Sequence, residues 1–358
     1  MKSYSGENLP GTHARPTFSE AWFHQYYGLE FGERYHTDPI FRTEQDREAL
    51  RLVHERFGAL CIGKKDPEPQ PHLEICGHRF LPALLGCEVF YQPDQPPAVR
   101  HLPVSSVQDI AAIANPDLDA NRWAKEFRRQ AQTLIGRYGH VDATINHGGP
   151  INVASNALGT EAFLCLAEPT EEFRAFLRMI AELCVETYDE LTLPFNPQLE
   201  LGRELFLGNC PVVMMDPETY QQEVFPADRY LRDRVKKFGL HHCAAMDRYL
   251  SQYQALGPCE YIEVGWGSTV VKVRQAFPTS ILDLMINIPA VQAMPQDRLT
   301  ETLREMVSQA TPRALIRDIY MADIGPDVPD TTVERFVEAV NAAFSQEPRP
   351  NLDFSHSP

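Results

Sequence analysis

The chain has 358 residues, 43% of them hydrophobic and 23% charged, with 33 basic and 49 acidic side chains giving a net charge of −16. A length about two and a half times the usual domain size excludes a small stapled scaffold, and the hydrophobic share excludes disorder as the main state. The acidic balance without a basic stripe argues against a nucleic-acid partner, and no run approaches the roughly 18 apolar residues of a membrane helix.

Met1 to Gly11 is polar where a signal peptide would be apolar, so the expected compartment is the cytosol. The first sixty residues mix aromatic and charged side chains, in Trp22-Phe23-His24-Gln25-Tyr26-Tyr27 and Glu33-Arg34-Tyr35-His36-Thr37-Asp38-Pro39. A helical pattern over 43–57 follows the start signal of Thr43 and Asp46. KKDPEPQP (64–71) and QPDQPP (92–97) read as surface loops. From about residue 140, short apolar runs predict strands near 141–145, 205–207, 238–242, 261–264, 280–288 and 314–320. Between them, amphipathic stretches predict helices over 156–166, 170–190, 217–236, 246–256, 269–276, 296–309 and 331–344. This alternation implies parallel strands covered by helices. At this length it predicts a single α/β domain of the (β/α)8 barrel type, with an open doubly wound sheet as the alternative. The expected division is an N-terminal helical and aromatic extension and lid over 1–60, and the barrel over 61–358. Neither GxGxxG nor GxxxxGK followed by Ser or Thr occurs, so no nucleotide site is expected.

The active site of a parallel barrel forms where its strands end, which gives priority to residues just past each apolar run. Four such ends carry polar or metal-capable groups: Asn209-Cys210, His241-His242-Cys243, Glu263 and Asp323. His241 and Cys243, two apart on a strand, point to the same side, and Glu263 lies one βα unit further on. These three form a nitrogen, sulfur and oxygen set that suits zinc. Packing is the plainer reading of so short a match, because free cysteines are usually buried. Of the eight cysteines, too dispersed for a disulfide framework, Cys243 is therefore the ligand candidate and Cys210 lines the pocket. Cys259 sits at the entrance of its strand, and Cys76, His78 and Cys87 read as loop residues.

The acid and base candidates are His147 before a glycine pair, Asp216 before Pro217, and Asp283. Asp216 also reads as a helix N-cap. Arg34, His36 and Arg42 precede the barrel where a lid binding an anionic, carboxylate-bearing substrate could sit, or a solvated face. There is no GxSxG elbow, no HExxH, and no DxHxxG sequence that would hold a cobalamin, so any corrinoid would arrive on a separate protein.

The run over 208–243, GNCPVVMMDPETYQQEVFPADRYLRDRVKKFGLHHC, resembles the uroporphyrinogen decarboxylase superfamily, as does DIGPDVPDTTVERFVEAV over 323–340. The segments FLPALLG and WFHQYYGLEF are similar to an uncharacterised subgroup of it. The resemblance implies one (β/α)8 barrel, often as a dimer, and two competing activities. Decarboxylases of the superfamily use no metal and hold porphyrinogen carboxylates with an N-terminal RQAGR motif that this chain lacks; in such a reading Asp216 or Asp283 would stabilise charge on the ring. The methyltransferase branch moves methyl groups between corrinoid proteins and thiols or folates with zinc held by H-x-C, sometimes a Glu one strand later, and a final Cys. His241, Cys243 and Glu263 match three of those positions. No cysteine follows Cys259, so Asp323, water or a substrate thiolate would complete the set. A catalytically silent barrel binding a tetrapyrrole or a partner is the third reading.

Overall fold

The computed structural model describes residues 12–196 and 204–345. Its main sheet has six parallel strands: β1 (Ala14–Phe18), then, after the hairpin strands β2 (Glu88–Gln92) and β3 (Gln95–Arg100), β4 (Glu204–Gly208), β5 (Lys237–His242), β6 (Tyr261–Val264), β7 (Ile281–Met285) and β8 (Ile316–Ile324). They pair in the order β1-β8-β7-β6-β5-β4. Extended segments around His72 and Asp142 take the two remaining places in chain order, joined by one parallel bridge. The result is a (β/α)8 barrel in which two of the eight strands are reduced to that bridge.

The strands are buried on both faces, β7 and β8 almost throughout, because helices cover the outside and side chains fill the interior. The covering helices carry one apolar stripe each; Gln296–Gln309 buries Leu299, Leu303 and Val307, and Asp330–Phe344 buries Val333, Phe336, Val337 and Val340. Among the described residues no helix is long and apolar enough to cross a membrane.

Several boundaries differ from the sequence reading, each for a local reason. Within the stretch expected as an extension, residues of β1 join the sheet. Ala14 to Pro16 pair with Ile319 to Met321, so β1 seals the sheet against its last strand. The helix expected over 43–57 begins at Pro39, capped by Asp38 Oδ1 on the Phe41 amide at 3.0 Å. The loop expected at 92–97 is the antiparallel hairpin of β2 and β3, an exposed ribbon whose prolines do not interrupt a central strand. The helix expected over 156–166 breaks at Gly159, with φ of 63°, into Pro150–Leu158 and Thr160–Ala167. The strand expected over 280–288 ends at Met285, because Asn287 caps a new helix, Ile288–Ala293.

Candidate metal centre

Strand register assembles the centre. Gly208 of β4 pairs with His241 of β5, His241 with Glu263 of β6, and Glu263 with Asp283 of β7. Two residues beyond Gly208 and His241 stand Cys210 and Cys243, just past the carboxyl ends of their strands. Gly265 lets the chain turn there: a Cβ on it would come within 2.2 Å of His242 O and 2.3 Å of Ala244 O, so only glycine allows backbone 242–244 to fold across it. Donor atoms of Cys210, His241 and Cys243 all lie within 4.8 Å of one another. Ligands of tetrahedral zinc, at about 2.3 Å for sulfur and 2.0–2.1 Å for nitrogen, are separated by roughly 3.3–3.8 Å. Side-chain adjustments of about 1 Å would bring these three onto one ion, and their chemistry suits zinc.

Glu263, expected as a ligand, has another partner. Its Oε2 lies 2.5 Å from His241 Nδ1, which leaves Nε2 as the ring nitrogen available to a metal. Tyr261 Oη lies 3.0 Å from Glu263 Oε1, and Arg15 Nη2 approaches the same oxygen at 3.5 Å. Burial alone would raise the Glu263 carboxyl, but His241, Arg15 and Tyr261 hold it down at about 2. Burial likewise opposes charge on His241, yet Cys243 and Glu263 bring it up to about 9. Hydrogen bonds from Cys210 and His241 lower the Cys243 thiol to about 4, while that bond to Cys243, together with burial, raises Cys210. Both shifts favour the charged forms, a thiolate at Cys243 and an imidazolium at His241, and taking up a cation would release protons.

Beneath lies an ionic floor. Asp283, fully buried, accepts from Arg317 Nε at 3.0 Å and pairs with Arg15; the Tyr261 hydroxyl stands 2.6 Å from its Oδ2 and 3.0 Å from Glu263 Oε1, so its one proton serves one of the two carboxylates at a time. It is enclosed by these groups and faces no open mouth. Arg15, Arg317 and Tyr261 were missed in the sequence. Tyr261 was reachable, since it stands two before Glu263 on one strand; Arg15 was not, because nothing in its short segment marks it as a barrel strand.

The remaining candidates lie apart. Asp216 is exposed and caps the next helix, its Oδ1 accepting from the Glu218 and Thr219 amides at 2.8 and 3.0 Å. His147 is buried, with Nε2 3.0 Å from Thr187 Oγ1, and burial pushes it down to about 4. Arg42 is wholly buried and donates to the carbonyls of Tyr35 and His72 and to Gln130 Oε1 at 2.9–3.2 Å, so it braces backbone rather than offering a lid to an anion. His36 Nδ1 sits 2.6 Å from the Glu74 carbonyl. Arg34 is 71% exposed, lies over the Phe41 ring and is 3.9 Å from Asp38. Asn209 is buried behind the strands, donating to Asp228 Oδ2 at 2.7 Å. Asp323, next to last in β8 and exposed, lies in the left-handed region, φ 59°; partial desolvation, and after it Cys243, raise its carboxyl.

A parallel barrel whose strand ends gather soft donors above an ionic floor defines an enzyme of the α/β-barrel class. Sequence comparison narrows the class: the uroporphyrinogen decarboxylase (URO-D) family matches residues 77–343, and the chain belongs to that family. Among solved structures, a methyltransferase from Methanosarcina mazei superposes with a TM-score of 0.62 over 95% of this chain and 96% of that one, at 18% identity. That likeness is one of fold. No curated protein matches the chain.

Proposed function

We propose that the protein is a zinc-dependent methyltransferase that moves a methyl group from a corrinoid carried by a separate protein to a small thiol or similar soft acceptor. The observation that carries this reading is the convergence of Cys210, His241 and Cys243 at the barrel mouth. Bound zinc would supply Lewis acidity, lowering the pKa of an acceptor thiol so that it reacts as the thiolate at neutral pH. The chain's own groups do the rest. Glu263 fixes the ring and tautomer of His241 through Nδ1, and Tyr261 and Arg15 fix Glu263. Cys243 is exposed, so the open side of the centre faces the mouth where a second protein can dock. In the transfer, the carbon–cobalt bond breaks with both electrons left on cobalt, the sulfur–carbon bond forms, and the thiol proton passes to solvent.

Metal-free decarboxylation would use cations facing the mouth and a carboxylate free to face a pyrrole ring. Arg42 and Asp283 are enclosed by their own partners, and Asp216 caps a helix. The test is zinc-loaded protein mixed with methylcobalamin and a panel of small thiols, following the spectrum of the cobalamin. Thiol-dependent demethylation that is abolished in Cys243→Ser supports the reading. Demethylation by neither, together with turnover of uroporphyrinogen by metal-free protein, would replace it with the decarboxylase.

A further inference from the structure

Asn209 follows the end of β4 and His242 closes β5, and each immediately precedes a cysteine of the centre. Cys210, His241 and Cys243 bring their donor atoms together at the mouth, while Asn209 and His242 turn outward to Asp228 and Tyr253 of the covering helices Phe225–Arg232 and Leu250–Leu256. Both outward residues are fully buried against the helical layer, and each ends in a polar group. Asn209 Nδ2 donates to Asp228 Oδ2 at 2.7 Å, and Tyr220 Oη donates to the same oxygen at 2.9 Å. His242 Nδ1 lies 2.9 Å from Tyr253 Oη. Asp228 is a wholly buried carboxyl, and among the described residues it forms no ion pair; its Oδ1, Asn209 Oδ1 and His242 Nε2 are all buried without a hydrogen-bond partner. Gly149 makes room for this arrangement, since a Cβ there would come within 2.7 Å of Asn209 Oδ1.

A buried carboxyl without a cation is costly to keep, and an apolar side chain on that helix face beside Ala227 and Leu231 would pack without that cost. What the carboxyl does is hold the Asn209 amide, and Asn209 is both the last residue before Cys210 and bonded through its own N–H to His241 O at 3.0 Å. We propose that Asp228, through Asn209, and Tyr253, through His242, are positioning residues for the two cysteines of the metal centre. Each of the three donors then has one outer partner: Glu263 for His241, the Asp228–Asn209 pair for Cys210, and the Tyr253–His242 pair for Cys243. Neither outer pair touches the metal position.

This inference rests on the metal reading, and the experiment separates the two. Full-length protein is titrated with zinc against a chromophoric chelator, and with cobalt(II) to record the thiolate-to-cobalt charge-transfer band. Asn209→Ala is expected to weaken zinc by about 10- to 100-fold and to lower the band by about half, as one of two thiolates leaves the ion. Asp228→Asn keeps an acceptor for Asn209 and is expected to lose a few-fold only, while Tyr253→Phe lowers the band through Cys243. Thr187→Ala, which deletes an equally buried hydroxyl beside His147, leaves affinity and band unchanged. If Asn209→Ala does not fold, Asp228→Asn and Tyr253→Phe carry the same test. Variants with wild-type zinc affinity and a full band would overturn the inference alone; a wild-type chain that binds neither zinc nor cobalt would overturn the metal reading and this one with it.

Discussion

Asp228 makes an experiment whose size can be worked out. Burial, opposed by hydrogen bonds from Asn209 and Tyr220, raises its carboxyl from the ordinary 3.8 to about 7. A carboxyl with a raised folded value is stabilising in its protonated form; that contribution is full below pH 4 and is lost as pH rises through about 7. At 1.36 kcal/mol per pH unit, the rise from 3.8 to about 7 corresponds to about 4 kcal/mol of stability lost over this window. Asp228→Asn removes the titration and leaves the other carboxyls in place, so they cancel in the difference between the two proteins. We expect the variant to gain on the wild type between pH 4 and pH 7.5, by about 3–4 kcal/mol across the window, and then to level off. The absolute offset also contains the cost of an amide where a carboxyl stood, about 1–2 kcal/mol, which shifts the curve without changing its slope. Urea denaturation of metal-free protein at half-unit pH steps measures this. A difference that stays flat with pH would show that Asp228 titrates normally and would refute the reasoning.

Three further outcomes follow from particular contacts. Arg42→Ala leaves two carbonyls and an amide oxygen facing a buried void and should cost about 3–5 kcal/mol in urea denaturation, with the zinc content of the folded fraction unchanged; loss of zinc at unchanged stability would return Arg42 to the site. Glu263→Gln should leave the fold intact and weaken zinc by about 10- to 100-fold in chelator competition, while Glu263 acting as a ligand would show as a changed ligand count. Gly149→Ala forces a methyl against Asn209 Oδ1 and Gly208 O, at 2.7 and 2.8 Å, and should lower stability by about 1–3 kcal/mol; a neutral outcome would mean that this wall yields.

What could be read from the sequence was whatever has a local period. The strand at 261–264 and the helix at 296–309 match their predicted limits because apolar spacing alone sets them. β1 was invisible: ARPTF holds a proline and an arginine, and it becomes a strand only because β8 offers an unpaired edge and Asp283 a partner for Arg15. The reading of 141–145 as a full strand failed on the same ground, since a single bridge at Asp142 is all the neighbouring backbone provides. At the centre, His241 and Cys243 stood out from their alternation on one strand. That Cys210 gathers with them while Glu263 sits directly beside His241 depends on the register of three strands, β4 ending two residues before Cys210. Asp228 left a faint signal, an acidic residue on the apolar stripe of its helix, and its role depends on a strand end that no local pattern names.

The most direct measurement of the central claim is zinc X-ray absorption on protein loaded with one equivalent of metal, together with the stoichiometry retained after dialysis. The account expects about one zinc per chain with two sulfur scatterers near 2.3 Å and one imidazole nitrogen near 2.0–2.1 Å, falling to one sulfur in Cys210→Ser and in Cys243→Ser. Zinc that washes out, or that is held with no sulfur in its shell, would contradict it.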